Sequence, residues 1–397
     1  MEREKKKVVI LGAGYAGLMT ALSLQKKVHP TRIEIILVNK NDYHYFTTKV
    51  HEAGAGTVDP ETIKIPISEL IDPERVTFIQ DEVIGLDTLR KEVFCKNQTL
   101  SYDFVVVGIG GTPKNIDIPG LKENGFFLTD WEATYRLHNH LEEQFLSYSQ
   151  NPSGKLNIVI GGTGFTGMEF IHELKESIPV FCEQFAVNVN DVHVTVLEPN
   201  QQVLPGMPDL IVADAINSLN RLSFEYKLGV TITRIDNEKV LLADGTEILS
   251  DTFIWAGGIQ GNPLLNGLGF ELMDGRVKLN EFCEVPGHHD VFVLGDASAS
   301  LNEKGIPYPA TAQIAIQQGQ YCGYNIAMKI YGQPYKPFQY HYRGMVLSLG
   351  KGNGSGIVYN HHINGHVAAF MKRVIEWRYL YMLGGLALVK KQRKKGA

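Results

Sequence analysis

The chain has 397 residues, 44% of them hydrophobic and 20% charged, with a formal net charge of -5. That length provides two or three domains with cores of their own, and the composition excludes wholesale disorder. The weak negative balance gives nucleic acid no footing. Four scattered cysteines, Cys95, Cys182, Cys283 and Cys322, are too few for a disulfide scaffold or a zinc site. No metal site is expected, and a reducing compartment fits.

In chain order, the first element is an apolar strand over 7–11. Gly12, Gly14 and Gly17 follow it and open a helix over 18–27. In G-x-G-x-x-G the first glycine permits the tight turn, and the second lets backbone approach a pyrophosphate. The third lets helix pack on strand, which leaves the helix N-terminus facing phosphate. The basic residues MEREKKK run straight into this short strand, so no signal peptide is expected. A strand over 33–38 ends on Asn39-Lys40, where an acidic residue usually meets the adenosine ribose; asparagine still hydrogen-bonds a ribose hydroxyl. Residues 41–57, with Tyr43, His44, Tyr45, His51 and Glu52, read as a loop and short helix packing aromatics on the core. Sheet-like segments at 76–81 and 92–95 precede a buried strand within 100–110, closing on Gly108 and Gly110, with Pro113 beyond.

A polar amphipathic helix over 132–149 and a turn at 151–154 lead to a second copy of the motif. A strand over 158–160 is followed by Gly162, Gly164 and Gly167, then a helix from 165 to about 177 and a strand over 193–197 ending at Glu198. A carboxylate there accepts from both ribose hydroxyls and repels a 2'-phosphate, which selects NAD(H) over NADP(H). Strands at 230–235 and 240–242 flank a turn, 252–256 runs into Gly257-Gly258, and 290–297 contains a strand ending at Gly295-Asp296. Residues 311–328 read as a helix with Ala312, Ala315, Gly319 and Gly323 along one side. Either a neighbouring backbone or a flat ring satisfies that stripe, and spacing alone favours core packing.

The longest apolar run, 379–389, is far short of the roughly 20 residues a spanning helix needs, so no bilayer-crossing segment is expected. From 371 to 397, eight lysines and arginines stand against Glu376 alone, interleaved with Trp377, Tyr379 and Tyr381. Cations beside aromatics suit an interfacial helix on anionic lipid; a dimerisation helix is the structural alternative. Lys372, Arg373 and the other cations here are not read as catalytic.

Two dinucleotide units, Gly108-x-Gly110-x-x-Pro113 and the late Gly295-Asp296 together resemble the glutathione-reductase-like flavoproteins with two dinucleotide-binding domains. The resemblance implies an α/β fold of two Rossmann-like domains plus a C-terminal membrane-associating helical segment. Its parts would be 1–112 and 258–340 for FAD, 113–257 for NADH, and 341–397 for membrane anchoring. FAD would lie on Gly12, Gly14, Tyr15, Ala16, Gly17, Asn39, Lys40, Thr47, Gly110, Gly295, Asp296, Ala312 and Gln313, with Asp296 on the ribityl chain. NADH would lie on Gly162, Gly164, Phe165, Thr166, Glu198 and Gly257.

More closely, the stretches 38–45 (VNKNDYHY), 162–169 (GTGFTGME), 255–258 (WAGG), 308–319 (YPATAQIAIQQG) and 378–386 (RYLYMLGGL) look like bacterial type II NADH:quinone oxidoreductases. That resemblance covers the whole chain. It implies hydride transfer from NADH to FAD, then two-electron transfer to a quinone, expected to be menaquinone. Its Ala312-Gln313-x3-Gln317-x-Gly319 segment is the family's quinone-site signature, so Gln313 and Gln317 are expected to donate to quinone carbonyls. Glu169 is expected between nicotinamide and flavin, assisting proton delivery, and Glu173 is read as an amphipathic-face acid. A homodimer on the cytoplasmic side of the membrane, without proton pumping, is expected.

Dithiol and peroxide reductases of the superfamily place cysteines at the flavin, and residues 39–57 contain none. A sulfide:quinone oxidoreductase, the enzymatic alternative, shares that need. His172, Gln260 and Ile306 depart from the family pattern, which motivates a second alternative, a flavin-bearing redox sensor of low turnover.

Overall fold

A computed structural model of the chain describes residues 5–114 and 116–395. The first four residues, part of the MEREKKK stretch on which no signal peptide is expected, and the last two of the basic tail lie outside the described residues. The chain forms two compact units. One comprises Met1–Tyr45, Lys64–Thr112 and Ile259–His341, and the other Phe46–Ile63, Pro113–Gly258 and Tyr342–Ala397.

In the first unit a six-stranded sheet runs, edge to edge, Glu284–Val285, His288–Val293, Phe104–Val107, Lys6–Leu11, Ile33–Asn39 and Val76–Gln80. All pairings are parallel except that of the two-residue edge strand. Parallel strands are covered on both faces, which is why Val8, Val9, Ile10, Val105 and Val106 form unbroken apolar runs and are fully buried. Leu11 stands in register with Val38 and Val107, and Val293 with Val107. Gly12, Asn39, Gly108 and Gly295 therefore meet at one carboxyl edge of the sheet, where open α/β sheets bind ligands.

The helices Tyr15–Lys27 and Ala312–Tyr331 lie against each other. A Cβ at Gly319 would stand 2.3 Å from the Ala16 carbonyl oxygen, and one at Gly323 2.5 Å from the Ser23 Cβ. The stripe of small residues is thus a helix-to-helix seam, the core-packing alternative.

The second unit has a five-stranded parallel sheet in the order Gly125–Phe127, Thr252–Trp255, Leu156–Gly161, Val192–Glu198, Glu225–Leu228. The helix Trp131–Gln150 is capped by Asp130, whose side chain accepts from Ala133 N at 2.9 Å. The helix Phe165–Phe185 runs two turns past its expected end and through Pro179. Buried Ile178, Phe181 and Cys182 hold that last stretch in the core, where packing overrides the local cost of proline. An antiparallel sheet of Gly344–Ser348, Gly354–Val358 and His361–Asn364 leads into a helix over Gly365–Lys395, broken at Gly384 and Gly385. Among the described residues no helix is long and apolar enough to cross a membrane.

Residues Phe46–Ile63 fold with the second unit rather than with the strands that flank them in sequence. Phe46 meets Tyr379 edge-on with ring centroids 5.8 Å apart, and Lys49 pairs with Glu376 at 2.9 Å.

Candidate nucleotide sites and a buried charge cluster

The two glycine turns repeat the same sterics. Gly12 has φ +95°, and a Cβ there would stand 2.4 Å from the Gly108 carbonyl oxygen. Gly162 has φ +105° and abuts the Ala256 carbonyl. At the third position, a Cβ on Gly17 would lie 1.9 Å from Gly12 O, and one on Gly167 2.3 Å from Gly162 O. At the second position, a Cβ on Gly14 or Gly164 would meet no protein atom within 4 Å. Both are helix N-caps, and neither helix is capped by a side chain. Open space over uncapped N–H groups fits a pyrophosphate in each unit.

The residue after each first glycine is tied to the end of the next strand. Ala13 N donates to Asn39 Oδ1 at 2.9 Å, and the Asn39 amide donates to Asn41 O. The Ala13 carbonyl accepts from the His44 imidazole at 2.9 Å; burial pushes His44 down to about 4, so the ring is neutral. Buried Tyr15 packs edge-on against that ring. In the second unit Glu198 plays the part of Asn39. Its Oε2 accepts from Thr163 N and Oγ1 at 2.8 and 2.7 Å, and its Oε1 from Asn200 N and Nδ2 at 3.0 and 2.5 Å. Burial works to raise this carboxyl, and the four donors outweigh it, holding Glu198 below the ordinary carboxylate value. Glu198→Gln turns an amide NH2 toward these donors. It should raise KM for NADH at least tenfold with flavin content unchanged, checked by steady-state kinetics and flavin absorbance.

At the other landmark of the first unit, Gly295 has φ +65° and Asp296 is half-buried, with the Arg276 charge as its electrostatic counterweight. Burial raises the Asp296 carboxyl and Arg276 opposes that. The turn is held by Gln318, fully buried, whose Oε1 accepts from Gly295 N at 2.7 Å and whose amide donates to Ser298 and Ser300 hydroxyls. Gln318→Ala leaves the buried Gly295 N–H unpaired, at about 1–3 kcal/mol. The expected result is weaker flavin retention, read as the flavin-to-protein ratio after gel filtration.

Elsewhere, Gln317 exchanges two hydrogen bonds with the His341 backbone, at 3.0 and 2.9 Å. Gln313 is half-buried one turn earlier, on a helix capped by Thr311 and begun by Ala312. Gly110 has φ +73°. Lys40 directly follows the strand Ile33–Asn39, and Thr47 opens a short 3-10 turn in the second unit. Phe165 and Thr166 form the first helical residues after Gly164, and Gly257 packs on the Trp255 indole.

Three segments of the second unit converge on a buried charge cluster. Glu169, on the helix behind the second glycine turn, is 5% exposed and accepts from Lys372 Nζ at 2.5 Å and from Ser348 N at 2.9 Å. His51 lies between them, Nδ1 3.4 Å from Glu169 Oε2 and Nε2 3.4 Å from Lys372 Nζ. Burial, then the charges of Lys372 and Lys49, push His51 well down, so it stays neutral. Burial raises the Glu169 carboxyl against the pull of Lys372. Burial would lower Lys372, but the surrounding carboxylates reverse that and keep it an ammonium. The fold turns Lys372, one of the cations of the basic tail, inward, because the face of its helix that carries it lies over His51 and Glu169.

A family model described as Pyridine nucleotide-disulphide oxidoreductase matches residues 6–319. The chain is 39% identical to the Type II NADH:quinone oxidoreductase of Staphylococcus haemolyticus over 402 residues, covering 99% of this chain and 100% of that one. It is 36% identical, with the same coverage, to the protein of that name from Staphylococcus aureus strain NCTC 8325.

The chain belongs to the type II NADH:quinone oxidoreductase family.

Its fold is that of NDH2 from Plasmodium falciparum solved in complex with NADH, with TM-score 0.87 at 16% identity over 99% of this chain and 97% of that one. The sulfide:quinone oxidoreductase of Aquifex aeolicus shares the fold at TM-score 0.76, with 19% identity over 96% and 91% of the two chains. In this type II oxidoreductase all four cysteines are free and buried, and burial raises every thiol. Of the three departures from the family pattern, His172 is buried, its Nδ1 bonded to Met168 O and its Nε2 to Ser218 Oγ, both at 2.8 Å. Gln260 sits in the short strand Ile259–Gly261. Ile306 closes a turn with Asn302. Gln318 and the partners of Glu169 escaped sequence reasoning. For Gln318 the run Gln317-Gln318 was a signal, since adjacent helical residues face different ways.

Proposed function

We propose that this chain oxidises NADH through FAD and reduces menaquinone at a membrane surface, without moving protons across the bilayer. The observation that carries the reading is the duplicated glycine turn: two parallel sheets, each with an open second glycine over an uncapped helix. When bound, FAD supplies the hydride-accepting and electron-donating chemistry. The residues that would hold it are Gly12, Gly14, Tyr15, Ala16, Gly17, Asn39, Lys40, Thr47, Gly110, Gly295, Asp296, Ala312 and Gln313. Those of the second turn, Gly162, Gly164, Phe165, Thr166 and Gly257, would hold NADH, with ribose hydroxyls exchanging for the Asn200 amide on Glu198.

Glu169 is the proton-handling residue in this reading, kept ionisable in a buried place by Lys372. Gln313 and Gln317 orient the quinone. The C-terminal helix supports the membrane assignment, because Val367, Phe370, Ile375, Tyr381 and Leu386 are exposed among its cations. Attachment from the cytoplasmic side and a homodimer complete the reading. Buried, raised thiols speak against sulfide chemistry.

The test is anaerobic stopped-flow bleaching of bound flavin with NADH and with NADPH, followed by mixing with a menaquinone analogue in lipid. Bleaching by NADH and recovery with quinone are expected. No bleaching discards the dehydrogenase reading, and bleaching without recovery favours the redox sensor.

A further inference from the structure

The charge cluster of the second unit holds more carboxylates than cations. Glu169 is paired with Lys372, while Glu52 and Glu376 share Lys49 at 3.5 and 2.9 Å. The remaining carboxyl, Glu173, has no cation within ion-pair distance among the described residues. It sits one helical turn after Glu169, on the same face, half-buried where Glu169 is fully buried. Its partner is a neutral hydroxyl. Thr57 Oγ1 lies 2.6 Å from Glu173 Oε2 and 3.1 Å from the Glu52 carbonyl oxygen.

A hydroxyl has one hydrogen to donate. Both contacts are full two-centre hydrogen bonds at once when Glu173 is the carboxylic acid: it donates to Thr57 Oγ1, and Thr57 donates to Glu52 O; a carboxylate would leave the two acceptors sharing one hydrogen. We propose that Glu173 is the neutral acid of this cluster and the residue through which buried Glu169 exchanges its proton with solvent.

The stoichiometry calls for such a group. NADH, one proton and a quinone give NAD+ and a quinol; the hydride carries two electrons and one proton, so the second proton comes from solution. Glu173 acts through Glu169, as a positioning and proton-storing residue. Burial pushes its carboxyl up to about 7 even against Thr57 acting as a donor; the charges of Glu52 and Glu169 push the same way as burial, and Lys372 pulls down. The charged and titratable groups around it are Lys49, His51 and Glu52 on the segment over Thr47–Ala55, Glu169 and Glu176 on its own helix, and Lys372 and Glu376 on the C-terminal helix.

The kinetic part rests on the quinone-reductase reading; the protonation does not. The experiment is infrared difference spectroscopy of the FAD-loaded protein across a pH series, with quinone turnover measured in parallel. Wild type should show a protonated-carboxyl carbonyl band that fades as pH rises through about 7. Glu173→Gln should lack the band, and its turnover should lack the alkaline decline expected of wild type. Thr57→Ala decides the direction of the hydrogen bond. Losing the acceptor of an acid moves the midpoint down, whereas losing the donor to a carboxylate moves it up and overturns the proposal. A band that survives in Glu173→Gln, or an alkaline limb unchanged by it, also overturns it. A titrating Glu173 band in a protein that reduces no quinone leaves the protonation standing and removes the functional reading instead.

Discussion

Gly14→Ala should fold as stably as wild type in the flavin-free state and yet fail to hold flavin, whereas Gly17→Ala should lose stability as well. The two glycines are three residues apart and differ only in what a methyl group would meet. At Gly14 the backbone has φ -73° and a Cβ reaches no protein atom within 4 Å, so alanine is conformationally at ease. Removing glycine's freedom there stabilises by about 0.4–1 kcal/mol if anything, and the methyl occupies the space a pyrophosphate needs. At Gly17 the same methyl would stand 1.9 Å from Gly12 O, a backbone atom that moves only with the turn. Overpacking of this kind costs about 1–3 kcal/mol or more. Thermal midpoints of the stripped proteins, with flavin-to-protein absorbance ratios after reconstitution, separate the effects. Gly164→Ala and Gly167→Ala should repeat the contrast with NADH affinity in place of flavin content. Equal destabilisation by Gly14→Ala and Gly17→Ala would refute the assignment of open space to ligand.

Lys372→Met should destabilise the protein by about 3–5 kcal/mol, the usual cost of stripping the partner from a buried charge. Glu169 would keep only the Ser348 N–H and the 3.4 Å approach of neutral His51. Without the ammonium its carboxyl rises further above its ordinary value, so the folded state holds a proton that the unfolded state releases. The sign follows: the variant loses stability as pH rises from the unfolded glutamate value toward the raised folded one. Glu169→Gln with Lys372→Met removes both charges and should recover most of the loss. Chemical unfolding of the four proteins of this cycle at two pH values measures the coupling directly. Turnover should not recover in the double variant, because the ionisable group at Glu169 is gone. A Lys372→Met protein as stable as wild type at alkaline pH would mean the pair is solvated.

The nucleotide turns were legible because their requirements are local. A turn with positive φ, a close helix-to-strand approach and a carboxylate at a strand end each restrict residue type within a few positions, and the restriction appears as spacing. Gly12 to Gly17, Gly162 to Gly167 and Glu198 could be placed on that basis. Element ends were less legible, as the helix through Pro179 shows, because buried Phe181 and Cys182 outweigh a local preference that reading along the chain cannot weigh against packing.

By itself, the sequence determined the α/β class, the two dinucleotide turns, the lack of reactive thiols where a disulfide enzyme needs them, and the family. All of these rest on local spacing, on residues being absent, or on motifs strung in order along the chain. Only the tertiary structure decided that Lys372 is an inward partner of Glu169, that Glu173 is the carboxyl of that cluster without a cation among the described residues, and that Gln318 holds the Gly295 turn. Those outcomes depend on segments around residues 50, 170 and 370 meeting, or on which face of a helix is buried. Charge in a basic tail, or an acid on an amphipathic helix, reads the same whether its face meets water or protein. The difference between a solvated ion and a buried one is burial, and burial is a property of the folded chain.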